Sequence, residues 1–222
     1  MIQYNYYDEH YQAGRRGLQA AAAKGIPVLI MEPLLGGRLA TGLPKQAVEL
    51  FREADPGLTP ADWAFWWLWN QPEVTVVLSG VNSKEIMEQN LRSVELHRPL
   101  SSAELAVYAA VVRVFRKSYK INCTSCNYCL PCPLGINIPA CLSAYNASYV
   151  QGFVTGMTLY LTSTAGLTKT PVSPHVCNQC GRCEKHCPQN IPIRKALKRV
   201  GRRFEPLPLR VLLALARRIM LG

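Results

Sequence analysis

The sequence lacks any hydrophobic run long enough to cross a membrane, since no apolar stretch reaches about 18 residues. It also lacks a secretory signal, because the first residues have no basic flank followed by an apolar segment. Neither a transmembrane nor a secreted protein is therefore expected. The two absences predict a cytoplasmic protein whose thiols stay reduced, so disulfide bonds are not expected either.

Acidic residues are scarce, with 14 Asp and Glu against 25 Lys and Arg and a formal net charge of +11. Most of the excess lies between Arg194 and Arg218, where Glu205 is the single acid. The rest of the chain is nearly balanced, which argues against a nucleic-acid-binding surface. Its 222 residues are 49% hydrophobic, typical of one or two globular domains.

Cysteine is abundant: eight of the nine cysteines form two runs. The first run has the spacing C-x2-C-x2-C-x2-C-P and the second C-x2-C-x2-C-x3-C-P, the pattern of bacterial ferredoxins. In that pattern three thiolates surround one cubane and the fourth ligates the other cluster. Crossed ligation is therefore expected. One [4Fe-4S] cluster would take Cys123, Cys126, Cys129 and Cys187, and the other Cys177, Cys180, Cys183 and Cys132.

Other interpretations of the cysteines are weaker. Zinc sites use paired C-x2-C spacings, but here a third cysteine extends each pair and zinc gives no reason for the final proline. Cys132 is the least secure ligand because the first run is one residue short. Cys141 is expected to be a buried or idle thiol, and His186 to be solvated or structural rather than a ligand.

The first half of the chain alternates predicted strands and helices. Strands are predicted at residues 2–7, 26–31 and 74–78, the last two buried on both faces. Helices are predicted at 8–24, 44–53, from Thr59 onward with threonine as the cap, from about residue 83 through 95, and at 101–117. This order is typical of a parallel α/β fold. Three such units cannot close an eight-stranded barrel, which takes ~250 residues.

The cysteine-containing half is predicted to be mostly helical. Helices are expected at residues 138–146, 148–161 and 193–203, with a loop at 162–174 and an amphipathic segment at 209–221. Apolar residues beside the cysteines would shield the clusters from water; these are Ile121, Leu130, Ile136, Ile138, Ile191 and Ile193. The predicted domains are 1–118, 119–203 and a basic tail at 204–222.

Three interpretations of the basic tail stay open. It could be a solvated helix that packs on its own domain, or a docking surface for an acidic redox partner protein or a missing N-terminal barrel portion. The third interpretation is peripheral contact with anionic lipid, which basic amphipathic helices favour.

Several segments resemble the iron–sulfur branch of the aldo/keto reductase family. Residues 3–8 (QYNYYD), 25–39 (GIPVLIMEPLLGGRL) and 74–90 are similar to the last three βα units of its barrel. Residues 126–133 (CNYCLPCP) and 187–194 (CPQNIPIR) are similar to its ferredoxin-like extension. The resemblance covers residues 1–200. It implies a partial (β/α)8 TIM barrel, followed by a mostly α-helical ferredoxin-like domain with two [4Fe-4S] clusters.

The resemblance also implies an NAD(P)H site at the carboxyl ends of the strands. Gln3 matches a glutamine that contacts the nicotinamide amide, and Met31 stands where the family usually stacks an aromatic ring. Pro33, Leu34 and Gly36 match the loop beside the pyrophosphate. Without the resemblance, Gly36 could serve only as part of a turn.

The other end of the dinucleotide would lie beside the third unit. By the resemblance, the phosphates would face Ser79, Gly80 and Asn82, and the adenine would face Gln89 and Asn90. NADP-specific members have an arginine where this chain has Ile86, so a preference for NADP is not implied. Ser83 could serve only as a helix cap.

No catalytic residue is assigned to this chain. The family's proton-donating tyrosine and its aspartate, lysine and histidine partners lie on earlier strands. None of His10, His97, His175 or His186 matches a strand end. The chain is therefore expected not to reduce a carbonyl by itself and to resemble the C-terminal part of a longer or split enzyme.

The leading hypothesis is an oxidoreductase part, in which two clusters relay electrons to or from an aldo/keto reductase-type barrel. The alternative is a stand-alone ferredoxin-like electron-transfer protein that uses the α/β segment as a docking platform. In a third hypothesis, the protein is a basic binding protein and its clusters are only structural.

Overall fold

The computed structural model describes residues 1–165 and 171–208, which form two compact units. The first unit is Met1–Arg116 and the second begins at Lys117. Among the described residues, no helix has the length and apolar character needed to cross a membrane. The predicted amphipathic segment 209–221 and residues 166–170 of the predicted loop lie outside the described residues.

A three-stranded parallel sheet organises the first unit. Its strands are β1 (Ile2–Gln3), β2 (Leu29–Met31) and β3 (Val76–Val77), in the order β1-β2-β3. Ile2 lies opposite Ile30, and Leu29 lies opposite Val76. Because parallel neighbours need crossover connections, helices follow each strand. These are α1 (Gly14–Ala22), α2 (Lys45–Ala54), α3 (Pro60–Trp69), α4 (Lys84–Glu95) and α5 (Ser102–Ser118).

The prediction that residues 26–31 and 74–78 are buried on both faces is wrong. Ile30 of the central strand is fully buried, but Ile26 is 54% exposed and Met31 is 38% exposed. Val76 of β3 is 42% exposed. β3 is an edge strand of the described sheet, so it has a neighbouring strand on one side only. An apolar run in the sequence does not reveal which neighbours cover a strand.

An aromatic cluster forms the core of the first unit. Phe51 of α2 stacks on Trp63 of α3 with ring centroids 4.8 Å apart, and the Tyr108 hydroxyl donates to the Trp63 carbonyl oxygen at 2.8 Å. Tyr6 packs against Tyr108 at 5.3 Å. Helix α3 begins as predicted at the Thr59 cap, where Thr59 and Asp62 form a capping box. Aromatic burial thus holds helices α2, α3 and α5 together.

The second unit is helical over most of its described length. It contains α6 (Ile138–Val150), α7 (Phe153–Tyr160), a π-helical turn (Leu161–Ala165), a 3-10 turn (Pro174–Val176), α8 (Arg182–Lys185) and α9 (Ile193–Phe204). The break between α6 and α7 was predicted near residue 147 but falls at Gly152, whose φ of 104° suits glycine. The predicted loop is also wrong at residues 162–165, which continue helical structure.

The core of the second unit lies between α6, α7 and α9. The apolar residues of α9 recur at helical spacing, with Ile193, Leu197, Val200 and Phe204 buried. Phe204 stacks on Tyr160 with ring centroids 4.7 Å apart. Phe204 and Glu205 are buried in this unit although the sequence placed them in the tail. Helix α9 therefore presents one apolar face to the core and a basic face outward.

Candidate metal centres

One cavity of the second unit gathers the second cysteine run. Cys177, Cys180 and Cys183 line it, and Cys132 of the first run reaches the same cavity. Its volume is about 170 Å³, and Ile138 and Leu197 form part of its apolar wall. Cys129 also borders it. Two thiols of the first run, Cys129 and Cys132, therefore reach this cavity, and Cys132 is the one that crossed ligation needs.

A second cavity gathers the first cysteine run. Cys123, Cys126 and Cys129 line it together with Cys187 of the second run. Its volume is about 20 Å³, room for roughly one water molecule by this measure. The four donors of the other crossed set thus meet here. A cluster would need the loop that carries them to open outward, whereas the larger cavity is already roomy.

The donor geometry differs from that of a single-ion site. Within residues 1–165 and 171–208, no group of three Cys, His, Asp or Glu side chains converges closely enough to hold one metal ion. A mononuclear zinc site would need sulfurs ~2.3 Å from one centre. In a four-iron cluster each thiolate ligates a different iron, so the thiols must surround a volume instead. The thiols named above line two cavities rather than converging on one point.

The two cysteine runs share an unusual backbone conformation. In the first run Ser125 and Asn127 have φ values of 59° and 66°, and at the matching places of the second run Gln179 and Gly181 have 63° and 75°. Left-handed conformations cost non-glycine residues of order 1–3 kcal/mol and often mark functional sites. These residues flank the middle cysteine of each run, and the first three thiols of each run line one cavity.

The match continues beyond the fourth cysteine of each run. Gly135 stands three residues after Cys132 with a φ of 71°, and Asn190 stands three residues after Cys187 with a φ of 49°. Each donates its N–H to the carbonyl oxygen of that cysteine, at 2.9 Å and 3.0 Å. A helix then begins six residues after each cysteine, α6 at Ile138 and α9 at Ile193. The repeat is therefore a loop plus a helix, longer than the cysteine runs alone.

Burial affects the cysteines unequally. Six of the eight pack against the core of the second unit: Cys123, Cys129, Cys132, Cys177, Cys183 and Cys187. Burial raises the pKa of the Cys129 thiol to about 12, and it also raises the pKa of Cys183. Cys180, by contrast, is exposed. The middle thiol of the second run is thus the one nearest to solvent.

Two polar anchors fix the chain near the cysteines, and the sequence did not single them out. The side-chain oxygen of Asn146 in α6 accepts hydrogen bonds from the backbone N–H groups of Lys120 and Ile121, just ahead of Cys123. Glu205 is 2% exposed and accepts the hydroxyl hydrogens of Tyr160 at 2.8 Å and Ser173 at 2.5 Å. Such anchors are recognised because an asparagine or a glutamate is buried, which is unusual. Burial depends on the fold and cannot be seen in the sequence.

The two remaining residues singled out near the cysteines have different positions. Cys141 is fully buried in the core, and burial raises its pKa to about 12. It lines neither of the two cavities described above. His186 is exposed and borders the larger cavity.

The residues that the resemblance implies for NAD(P)H lie along one edge of the sheet. Gln3 and Met31 are paired at the carboxyl ends of β1 and β2. The Gln3 amide donates to Asp8 at 3.3 Å, and the buried Asn5 donates to the Glu32 carbonyl oxygen at 2.9 Å. Asp8 and Asn5 were not predicted, although an Asn three residues before an Asp after a strand is a turn signal.

The other implied positions are mostly exposed. Asn90 donates its side-chain N–H to the Ser79 hydroxyl at 2.9 Å, which joins the middle of α4 to the loop after β3. Ser83 caps α4 by accepting the Ile86 N–H. Pro33 is buried, Leu34 is half-buried, and five others are exposed: Gly36, Ser79, Gly80, Asn82 and Gln89.

Comparisons with known proteins identify no relative of this chain. No protein-family model, no curated protein and no solved structure matches this chain. Function is therefore inferred from the geometry of the described residues and from the chemistry of the cysteine runs.

Proposed function

We propose that the second unit binds two [4Fe-4S] clusters through crossed ligation and serves as an electron relay. The observation that carries this proposal is the composition of the two cavities. Each combines the first three cysteines of one run with the fourth cysteine of the other. When bound, such clusters exchange single electrons.

The protein's own residues would hold the clusters and keep water away from them. Ile138 and Leu197 wall the larger cavity, and Leu142, Ile191 and Ile193 wall the smaller one. Burial and hydrogen bonds to sulfur tune a cluster's potential. Two such bonds reach the first thiol of each run: the Ser125 N–H donates to Cys123 Sγ, and the Gln179 amide donates to Cys177 Sγ, each at 3.4 Å. Cys129 borders both cavities, so the two sites are adjacent.

For the first unit we propose an aldo/keto reductase-type role, as one wall of a nicotinamide site. Support comes from the parallel β1-β2-β3 order and from the pairing of Gln3 with Met31 at the carboxyl edge. Open parallel sheets bind ligands at that edge. As the resemblance implies, the proton-donating tyrosine would belong to strands outside the described sheet, so this unit would orient a cofactor rather than perform the proton transfer.

Metal analysis of anaerobically purified protein tests the cluster proposal. Two four-iron clusters predict about eight iron and about eight sulfide per chain, with absorbance that bleaches reversibly on reduction. A content near half of that would contradict crossed ligation. Stoichiometric zinc without sulfide would overturn the cluster proposal.

A nucleotide titration tests the nicotinamide proposal. All four tryptophans lie in the first unit, so their fluorescence reports binding there. NADH would be added to the chain alone and to the chain mixed with a separately produced portion holding the first five barrel units. Binding that needs the added portion and weakens in Gln3→Ala supports the proposal. No binding in either sample rejects it and leaves the cluster proposal intact.

A further inference from the structure

The charge of the second unit is almost entirely positive. From Lys117 to the end the chain has fourteen Lys and Arg but only two acids, Glu184 and Glu205. Glu184 pairs with Arg194, with 2.8 Å between carboxylate oxygen and guanidinium nitrogen. Glu205 is buried and bound by Tyr160 and Ser173. Glu184 therefore offsets one cation, Arg194, and Glu205 offsets none of the positive charge at the surface.

Part of this positive charge lies around the larger cysteine cavity. Arg182 of α8 and Arg194 of α9 line the cavity. Lys185, Lys195 and Lys198 belong to the same two short stretches of helix, and all three are exposed. Arg182 and Arg194 thus line the cavity, and the three lysines lie on the same helices, α8 and α9.

Exposed apolar residues line the same cavity. Tyr128 is 65% exposed, and Leu130 and Leu134 are each 38% exposed. Cys180, the exposed thiol, also lines it. A small apolar centre beside a charged rim is typical of interfaces between proteins that associate transiently.

We infer that an acidic one-electron carrier protein docks on this face of the second unit, formed by Tyr128, Leu130, Leu134, Arg182, Lys185, Lys195 and Lys198. The inference rests on the proposed electron relay. One electron would pass between the carrier's redox centre and the cluster held by Cys132, Cys177, Cys180 and Cys183. The donor is oxidised by one electron and the acceptor reduced by one, and no atom is transferred.

Charge complementarity favours a protein over other polyanions. Opposite charges on the rims steer two proteins together and set their orientation, so the effect appears mainly in the association rate. The cations cluster around the redox-active cysteines, which a carrier must approach closely. Nucleic acid or an anionic membrane would gain nothing from contact at the cysteines, so these polyanions become outcomes of the test.

The test measures binding of the cluster-loaded protein to flavodoxin, an acidic one-electron carrier, with basic cytochrome c as the opposite probe. Binding to flavodoxin should weaken as ionic strength rises from about 0.01 M to about 0.1 M, because the Debye length shortens from about 30 Å to about 10 Å. The double variant K195E/K198E should weaken it by about tenfold or more through charge reversal at the rim. R16E/K24E makes the same change in net charge on exposed residues of the first unit and should leave affinity within about twofold.

Separate measurements distinguish failure of docking from failure of the electron relay. Iron content and reduction by dithionite should be equal in wild type and K195E/K198E, while electron transfer from reduced flavodoxin slows only in that variant. Equal losses in both double variants, or equal binding of cytochrome c, would overturn the docking inference. Binding of anionic vesicles or single-stranded DNA that depends on Lys195 and Lys198, without binding of flavodoxin, would also overturn it. Absence of iron would instead reject the relay.

Discussion

The side chain of Asn146 forms a closed pair of hydrogen bonds with the backbone of Ile121. Its Nδ2 donates to the Ile121 carbonyl oxygen at 2.7 Å, and the Ile121 N–H donates to its Oδ1 at 3.0 Å. Asn146 is 4% exposed. Because Ile121 precedes Cys123 by two residues, this pair ties the start of the first cysteine run to α6.

Replacing Asn146 by alanine should loosen the first cysteine run. The change leaves buried backbone groups of Ile121 without partners, at a cost of about 1–3 kcal/mol for each group left unsatisfied. The thermal transition of the cluster absorbance should move to lower temperature, with faster loss of iron. Asn82→Ala removes an exposed asparagine from the first unit and should change neither property. An unchanged transition in Asn146→Ala would show that the pair is dispensable.

Single cysteine replacements should separate the two clusters. Cys132→Ala removes the proposed ligand that the first run gives to the larger cavity. Cys187→Ala removes the proposed ligand that the second run gives to the smaller cavity. Each variant should retain about half of the iron, and the two should give different electron paramagnetic resonance spectra after reduction. Cys141→Ala is the control and should retain all of it. Loss of iron in the control, or full iron content in Cys132→Ala, would contradict crossed ligation.

The sequence predicted the elements that depend on local chemistry. Thr59 as a cap predicted the start of α3, because its hydroxyl can accept a backbone N–H of the first turn. The structure adds Asp62, which completes a capping box. The spacing of the cysteines predicted two crossed ligand sets. Members of both sets line the two cavities, with Cys129 lining both, and cluster ligation stays a prediction. The membership of the sheet in a larger barrel stays a prediction.

The features that depend on distant neighbours could not be predicted. Val76 belongs to an apolar run that resembles a buried strand, yet it lies on an edge strand and is exposed. Asn146 and Glu205 are polar residues whose importance comes from burial beside partners far along the chain. The sequence did not predict the left-handed backbone conformations of Ser125 and Gln179 either, because serine and glutamine rarely adopt that conformation.

Helices α6 and α7 approach so closely that Gly156→Ala should destabilise the second unit. An added Cβ would stand 2.6 Å from the backbone nitrogen of Ser148. Backbone atoms cannot move aside as the end of a flexible side chain can. Gly156→Ala is therefore expected to lower the free energy of unfolding by about 1–3 kcal/mol. Chemical unfolding followed by cluster absorbance measures this loss. Gly80→Ala is the matched control, because nothing lies within 4 Å of its added Cβ, and similar midpoints for the two variants would refute the close approach.

Glu104 should make the first unit sensitive to acid. Two hydrogen bonds from the Arg98 guanidinium, at 2.7 Å and 3.1 Å, and further bonds from Ser101 hold the pKa of Glu104 at about 2, below its ordinary 4.5. A depressed folded-state pKa contributes stability above the unfolded-state value. That contribution is lost as pH falls from 4.5 toward 2.

Urea unfolding followed by tryptophan fluorescence at pH 7, 4.5 and 3 measures this effect. Glu104→Gln should lower the free energy of unfolding at pH 7 by roughly 1–2 kcal/mol, as expected for a weakened helix cap. It should also flatten the acid dependence. Glu88→Gln breaks an exposed ion pair with Lys84 and should have little effect. A wild-type stability that rises as the solution is acidified below pH 4.5 would contradict the assignment.

The repeat of loop and helix has a consequence for the direction of electron flow. Both halves have left-handed residues at matching places and a helix six residues after the fourth cysteine, so the backbone makes the two sites alike. Side chains break this symmetry: the residue after the first helical isoleucine is Pro139 in α6 but Arg194 in α9. A nearby cation favours the more negative, reduced state of a cluster, but Glu184 pairs with Arg194 and offsets its charge. This difference between α6 and α9 therefore gives neither proposed site a preference for the electron, and the potential of the docked carrier would set the direction of flow.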